Sequence, residues 1–147
     1  MKLTALLERL QYEVVQGTKE IEITELTNDS RKVTEGSVFV CISGAVSDGH
    51  QYIEEVGKKG AAAVIVEKDV EAPKHMTVIR VEDTRYALAL ASAAYFGYPA
   101  EQLKVIGITG TKGKTTTTYM VKSILEEVGH KVGLIGTIEA IIGDEVI

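Results

Sequence analysis

Several ingredients are scarce in these 147 residues, and each scarcity narrows the reading. Cysteine occurs once, at Cys41, so no disulfide framework is available and a reducing cytoplasm is the expected location. Cys41 lies inside the apolar run Val38–Ile42 and reads as a small buried side chain rather than a reactive thiol. No basic tract is present and the formal net charge is −5, so no nucleic-acid footprint is expected. No run of 18 apolar residues occurs, so no membrane span is expected. The opening segment spaces Leu3, Leu6, Leu7 and Leu10 as a helix does, with Glu8 and Arg9 interrupting, and does not read as a signal peptide. Only two prolines occur; Pro73 breaks the chain between two apolar runs, and Pro99 follows the end of an Ala-rich one.

The rest of the composition, 45% hydrophobic and 25% charged, is that of an ordinary globular chain. The length bounds one domain or slightly more. A helix is expected over about residues 3–10, and period-two alternation predicts a half-buried strand from Ile21 to Leu26. Thr27–Ser30 and Gly44–Gly49 read as loops, and Val38–Ile42, Ala61–Val66 and Thr77–Val81 as strands. A short helix around Tyr52, Ile53 and Val56 should close at Gly60. Asp83 is the expected N-cap of a helix running to about Phe96. Strands alternating with helices predict an α/β fold. Residues 97–102 are the linker candidate, giving an expected division into residues 1–98 and 99–147.

The most informative stretch follows that linker. Leu103–Thr109 is apolar on both faces, as a strand in a buried parallel sheet would be. It runs into Gly110-Thr111-Lys112-Gly113-Lys114-Thr115-Thr116, and helical spacing then continues to about residue 127, with Gly129 just beyond. Glycines at 110 and 113 let the backbone turn tightly and approach phosphate oxygens, while successive N–H groups form an anion nest. The helix start adds unpaired N–H groups and the positive end of its dipole. Lys114 supplies a point charge for the outer phosphates, and the Thr115 hydroxyl suits Mg²⁺. This predicts binding of ATP with magnesium. The strict phosphate-loop pattern places a glycine where this chain has Ile108; Gly107 comes one residue too early. Val132–Ile135 should be the next strand, completing one βαβ unit, and residues 138–147 look like a hairpin about Gly143-Asp144. Two strands and one helix do not complete a nucleotide-binding sheet, so the chain is expected to be the N-terminal piece of a longer protein.

Thr109–Thr117 resembles the ATP loop of the Mur ligases, in which a strict phosphate-loop glycine is likewise missing. Their commonest loop carries Asn where this chain has Lys112. Thr27-Asn28-Asp29-Ser30-Arg31-Lys32, Gly36–Val40, Gly44 and Asp48-Gly49-His50 are similar to the uridine-nucleotide domain of two members. One adds the third amino acid of the peptidoglycan stem peptide, the other its terminal dipeptide. Asp29-Ser30-Arg31 together with Gly133–Thr137 is more similar to the former.

The resemblance implies a small uridine-nucleotide domain followed by the start of an ATP domain. It implies that Asn28 and Ser30, with Ala45, Val46 and Ser47, contact the UDP-N-acetylmuramoyl-dipeptide. It also implies that Gly110–Thr116 holds ATP, with Lys114 catalytic and Thr115 on the metal. The implied reaction is ATP-dependent amide formation through an acyl phosphate, with diaminopimelate or lysine as the incoming amino acid. The alternatives are the dipeptide-adding ligase, a non-catalytic nucleotide-binding module, and a phosphate-loop kinase.

Without the resemblance, Asp29-Ser30-Arg31 reads as a structural turn, its Asp and Ser side chains bonding their own backbone. His50 reads as a loop or cap residue, since no nucleophile or metal partner is near in sequence, and His75 and His130 as surface residues. Tyr95, Phe96 and Tyr98 are expected to pack between domains.

Overall fold

A computed structural model describes residues 1–45, 47–143 and 145–146. The chain divides into two compact units, Met1–Leu103 and Lys104–Ile147. The class is α/β, as the alternation of elements predicts.

The first unit contains α1 (Leu3–Leu6), β1 (Glu13–Gln16), β2 (Leu26–Thr27), β3 (Val38–Val40), α2 (Ile53–Lys58), β4 (Ala63–Val66), β5 (Thr77–Arg80), α3 (Thr84–Tyr95) and α4 (Pro99–Gln102). Its five-stranded sheet has the order β1-β5-β4-β3-β2. β2 to β5 run parallel, and β1 closes one edge antiparallel to β5. Alternate side chains of the central strands divide between two cores. Val38, Val40, Ala63, Ile65, Ile79 and Val81 join Leu3, Leu6 and Leu7 of the N-terminal segment and Ala87 and Ala91 of α3. Phe39, Cys41, Val64, Val66, Met76 and Val78 join Ile53 and Val56 of α2. Burial on both faces explains why these strands read as continuous apolar runs. Phe39, at 1% exposure, is a large anchor of the second core.

Two local expectations change. The first helix spans only Leu3–Leu6. The segment from Ile21 pairs with that N-terminus instead of entering the sheet: Leu3 N–H donates to Ile21 O and Ile23 N–H to Met1 O. Only Leu26–Thr27 joins the ladder. β1 was not anticipated, because Val14 and Val15 are 37% and 50% exposed and leave no apolar–polar contrast. At the other end, α3 stops as expected. Gly97 takes φ +72°, Gly97 N–H donates to Ala94 O and Tyr98 N–H to Ala93 O, the paired bonds of a Schellman cap. Tyr95 and Tyr98 engage partners within this unit: Tyr95 Oη donates to Thr24 O, and the Arg9 guanidinium lies 3.8 Å from the Tyr98 ring centroid.

The second unit contains α5 (Lys114–Glu127), β6 (Gly133–Ile135), β7 (Ala140–Ile142) and β8 (Glu145–Val146), the strands forming an antiparallel meander. α5 also ends in a Schellman cap, with Gly129 at φ +86°, Gly129 N–H on Glu126 O and His130 N–H on Leu125 O. The expected hairpin is present as β7–β8, although Asp144 of its turn lies outside the described residues. The expected opening strand, Leu103–Thr109, is not one. It joins no ladder, and Leu103, Val105 and Ile106 are 67%, 75% and 59% exposed. Apolar composition encodes a strand only where a neighbour supplies the ladder, and none of the described residues does. The parallel pairing of a βαβ unit is therefore not formed; β6 pairs antiparallel with β7.

Candidate functional site

The two long helices treat their N-termini in opposite ways. At α3 the free N–H groups are satisfied by protein carboxylates. Asp83 Oδ1 accepts from Arg85 N and Tyr86 N, and Glu67 Oε2 accepts from Thr84 N at 3.1 Å. At α5 the N-cap is Gly113, without a side-chain cap. The N–H groups of its first turn have no intrahelical acceptor, and the helix dipole adds positive potential there. The first turn carries no acidic residue. An anion is therefore welcome at α5 and displaced at α3.

The loop before α5 has the required backbone. Gly110 has φ +152° and Gly113 φ +77°, values that side-chain-bearing residues rarely adopt. At Gly113 a Cβ would meet nothing within 4 Å, so conformation rather than space demands glycine. Lys114 Nζ donates to Gly110 O at 2.6 Å, folding the ammonium back over the loop. Thr111, Lys112 and Thr116 are exposed and Thr115 is half-buried; none of the four side chains hydrogen-bonds another described residue. Thr117 and Thr118 turn their hydroxyls onto Gly113 O and Thr115 O. The residues expected to bind a triphosphate thus form one contiguous, open cradle.

In the first unit the expected substrate residues follow adjacent parallel strands. Asn28 and Ser30 come after β2, while Ala45 and Ser47 come after β3. Val46 lies outside the described residues. Crevices beyond the carboxyl ends of parallel strands are where α/β sheets take ligands. Asp29 caps a 3₁₀ turn, Ser30–Lys32, accepting from Arg31 N–H and from both Nε and Nη2 of the Arg31 guanidinium. Those bonds hold its carboxyl at about 2, below the usual carboxylate range. Asp29 and Arg31 thus build the turn itself. The Asn28 and Ser30 side chains have no partner among the described residues, and Lys59 Nζ clamps Ser30 O at 2.8 Å.

The second loop is fixed by a network that sequence reasoning missed. Ser43 and Asp48 bridge across its neck, and Gly44 N–H donates to Ser47 O at 2.9 Å. Ser43 Oγ donates to Glu67 Oε1 at 2.6 Å, and Arg85 Nη2 donates to Ser43 O at 2.9 Å. Asp48 accepts from His50 Nδ1 at 2.6 Å and Lys68 Nζ at 2.6 Å. The Lys68 bond, then those from His50, drive its carboxyl well below the usual range. Glu67 is likewise lowered to about 2 by bonds from Ser43 and Thr84. The His50 side chain, 8% exposed, sits in the short 3₁₀ turn that Asp48 caps and acts as a strut there. The available signal was an acidic residue immediately after the buried run Ala63–Val66. Cys41 is buried as expected, and burial pushes its thiol up to about 12.

No helix among the described residues is long and apolar enough to cross a membrane. Residues 22–98 match the catalytic domain of the Mur ligase family, and residues 108–145 match the Mur ligase middle domain. The UDP-N-acetylmuramoyl-L-alanyl-D-glutamate–2,6-diaminopimelate ligases of Clostridium perfringens and Oceanobacillus iheyensis are 48% and 46% identical over 99% of this chain. The chain spans 30% of the length of each. Among solved structures, MurF from Acinetobacter baumannii is 33% identical with a TM-score of 0.66, over 87% of this chain and 28% of that one. MurF ligase from Thermotoga maritima, in complex with ADP, is 31% identical with a TM-score of 0.53, over 70% of this chain and 23% of that one. A 2,6-diaminopimelate ligase shares the fold, with a TM-score of 0.76 at 20% identity over 99% of this chain and 29% of that one. With the catalytic-domain match running through over half its length and the middle-domain match covering the glycine cradle, the chain belongs to the Mur ligase family.

Proposed function

We propose that this chain forms the N-terminal part of a cytoplasmic ATP-dependent ligase of peptidoglycan precursor synthesis. The whole enzyme joins diaminopimelate to UDP-N-acetylmuramoyl-L-alanyl-D-glutamate. The 48% identity to a ligase named for that reaction, sustained over 99% of this chain, carries the assignment. Lysine is the alternative incoming amino acid.

In this reading Gly110, Thr111, Lys112, Gly113, Lys114, Thr115 and Thr116 hold the triphosphate of ATP. The open helix start, the two glycine conformations and the free hydroxyls support that role. The ADP complex of the T. maritima relative supports a nucleotide in the family. Lys114 neutralises charge on the phosphoryl group passing to the substrate carboxylate, where positioning and charge dominate the chemistry. Thr115 offers one oxygen to Mg²⁺. No group of three His, Cys, Asp or Glu side chains is placed to hold a metal among the described residues. Phosphate oxygens, water and groups elsewhere in the whole enzyme would fill the ion's other positions, as magnesium commonly keeps several waters. Asn28 and Ser30 receive the uridine diphosphate end of the substrate, while Ala45, Val46 and Ser47 contact it through backbone groups.

A second reading, the D-alanyl-D-alanine-adding ligase, draws support from the 33% identity to MurF from A. baumannii. The test is ADP release by the full protein containing this chain. Release should require both UDP-N-acetylmuramoyl-L-alanyl-D-glutamate and diaminopimelate. Dependence on D-alanyl-D-alanine with the tripeptide substrate would select the second reading, and ATP hydrolysis indifferent to any amine would defeat both.

A further inference from the structure

We propose that Glu67 is a positioning residue for the nucleotide end of the substrate, acting through the loop between Ser43 and Asp48. Resting on the reading of that loop as substrate-contacting, it names a residue outside the loop that sets the loop's geometry.

Glu67 stands at the first position beyond β4, next to β3 in the parallel ladder. Its carboxylate divides between two segments. One oxygen, Oε1, accepts the Ser43 hydroxyl at 2.6 Å. The other, Oε2, accepts from Thr84 Oγ1 at 2.7 Å and Thr84 N at 3.1 Å, at the buried start of α3. Its backbone N–H donates to His50 Nε2 at 3.2 Å, and His50 Nδ1 in turn meets Asp48. Both necks of the loop are therefore referred to one residue: Ser43 through the carboxylate, Asp48 through the imidazole. Arg85, one residue after Thr84, adds its bond to Ser43 O. The reference frame is rigid, because β4 is fully buried and Thr84 has no exposed surface.

The loop needs such support. Ala45 and Ser47 are exposed and small, so a ligand is offered mainly backbone groups. Backbone groups recognise only as well as they are held, and misplacement of a site by about 1 Å is enough to spoil it.

The test uses UDP as the probe and isothermal titration of this chain as the readout, with the thermal midpoint recorded for every variant. Wild type should bind UDP saturably. Ser43→Ala, which removes only the hydroxyl that Glu67 holds, should weaken binding about tenfold, as should Glu67→Gln. Ser43→Thr, which keeps a hydroxyl, should restore most of the affinity even if its thermal midpoint stays low. That rescue separates positioning from general stability. Wild-type affinity in a folded Ser43→Ala or Glu67→Gln overturns the inference and leaves the proposed function standing. Equal weakening in Ser43→Ala and Ser43→Thr, tracking the thermal midpoint, also overturns it. Absence of UDP binding by wild type, with the fold verified, removes the substrate-loop reading and this inference with it. Should Glu67→Gln fail to fold, the Ser43 pair decides alone.

Discussion

Glu67 and His50 share one hydrogen bond that fixes the imidazole: Glu67 N–H donates to Nε2 across 3.2 Å, leaving the proton on Nδ1, where Asp48 Oδ1 lies at 2.6 Å. Two carboxylates thereby brace the ends of three parallel strands. Both are held below their usual values, Glu67 at about 2.

Their acid response follows. Each is depressed in the folded chain relative to an unfolded value of about 4. The stability they contribute is complete above that value and is lost as pH falls from about 5 toward 2, because the unfolded chain then binds more protons. Urea midpoints should drop steadily across that window. Glu67→Gln should flatten the drop, since it deletes one of the titrating carboxylates. An identical slope in that variant would show that Glu67 titrates normally when folded.

Two glycines should respond to alanine for different reasons. At Gly49 a Cβ would sit 2.7 Å from Ile42 N and 3.0 Å from Cys41 Cα, both backbone atoms that cannot move aside. Gly49→Ala should cost about 1–3 kcal/mol as overpacking does, read from urea unfolding of the first unit. At Gly113 nothing is in the way, but φ +77° penalises any side chain by about 1–2 kcal/mol locally. Gly113→Ala should therefore spare the first unit's midpoint entirely. A change of under about 0.5 kcal/mol in Gly49→Ala would refute the steric argument.

Lys114 hydrogen-bonds only Gly110 O among the described residues and is exposed, so its removal should leave circular dichroism unchanged. On the proposed function, Lys114→Ala in the full protein should lower turnover by about 10²-fold or more, because its charge would then be wanted at the transferring phosphoryl group. Near-normal turnover with a matched spectrum would take the loop out of the chemistry.

What the sequence disclosed was whatever is local. The glycine cradle and α5 lie within one short stretch, and its residues carry their own backbone requirements at 110 and 113. The Asp83 cap and the glycine ends at Gly97 and Gly129 are equally self-contained. The central strands announced themselves because both faces are buried. What stayed hidden needs partners far along the chain. β1 exists by pairing Glu13 with Arg80, and its exposed valines gave no pattern. The Glu67 network gathers residues 43, 48, 50, 67 and 84, none of which is unusual alone. Leu103–Thr109 failed in the opposite direction: its apolar residues promise a ladder that no described neighbour provides.

The pairing of β1 with β5 also sets a clock. Glu13 and Arg80 are 67 residues apart, and a ribosome adds about 5–20 residues per second. The edge strand is thus made on the order of 3–13 s before its ladder partner β5 exists. Throughout that interval Val14 and Val15 lack the β5 backbone beside which they lie in the sheet, and the parallel strands arrive one crossover at a time. Among the described residues the first unit has no hairpin of consecutive strands in its sheet, and that sheet can be completed only when β5 emerges.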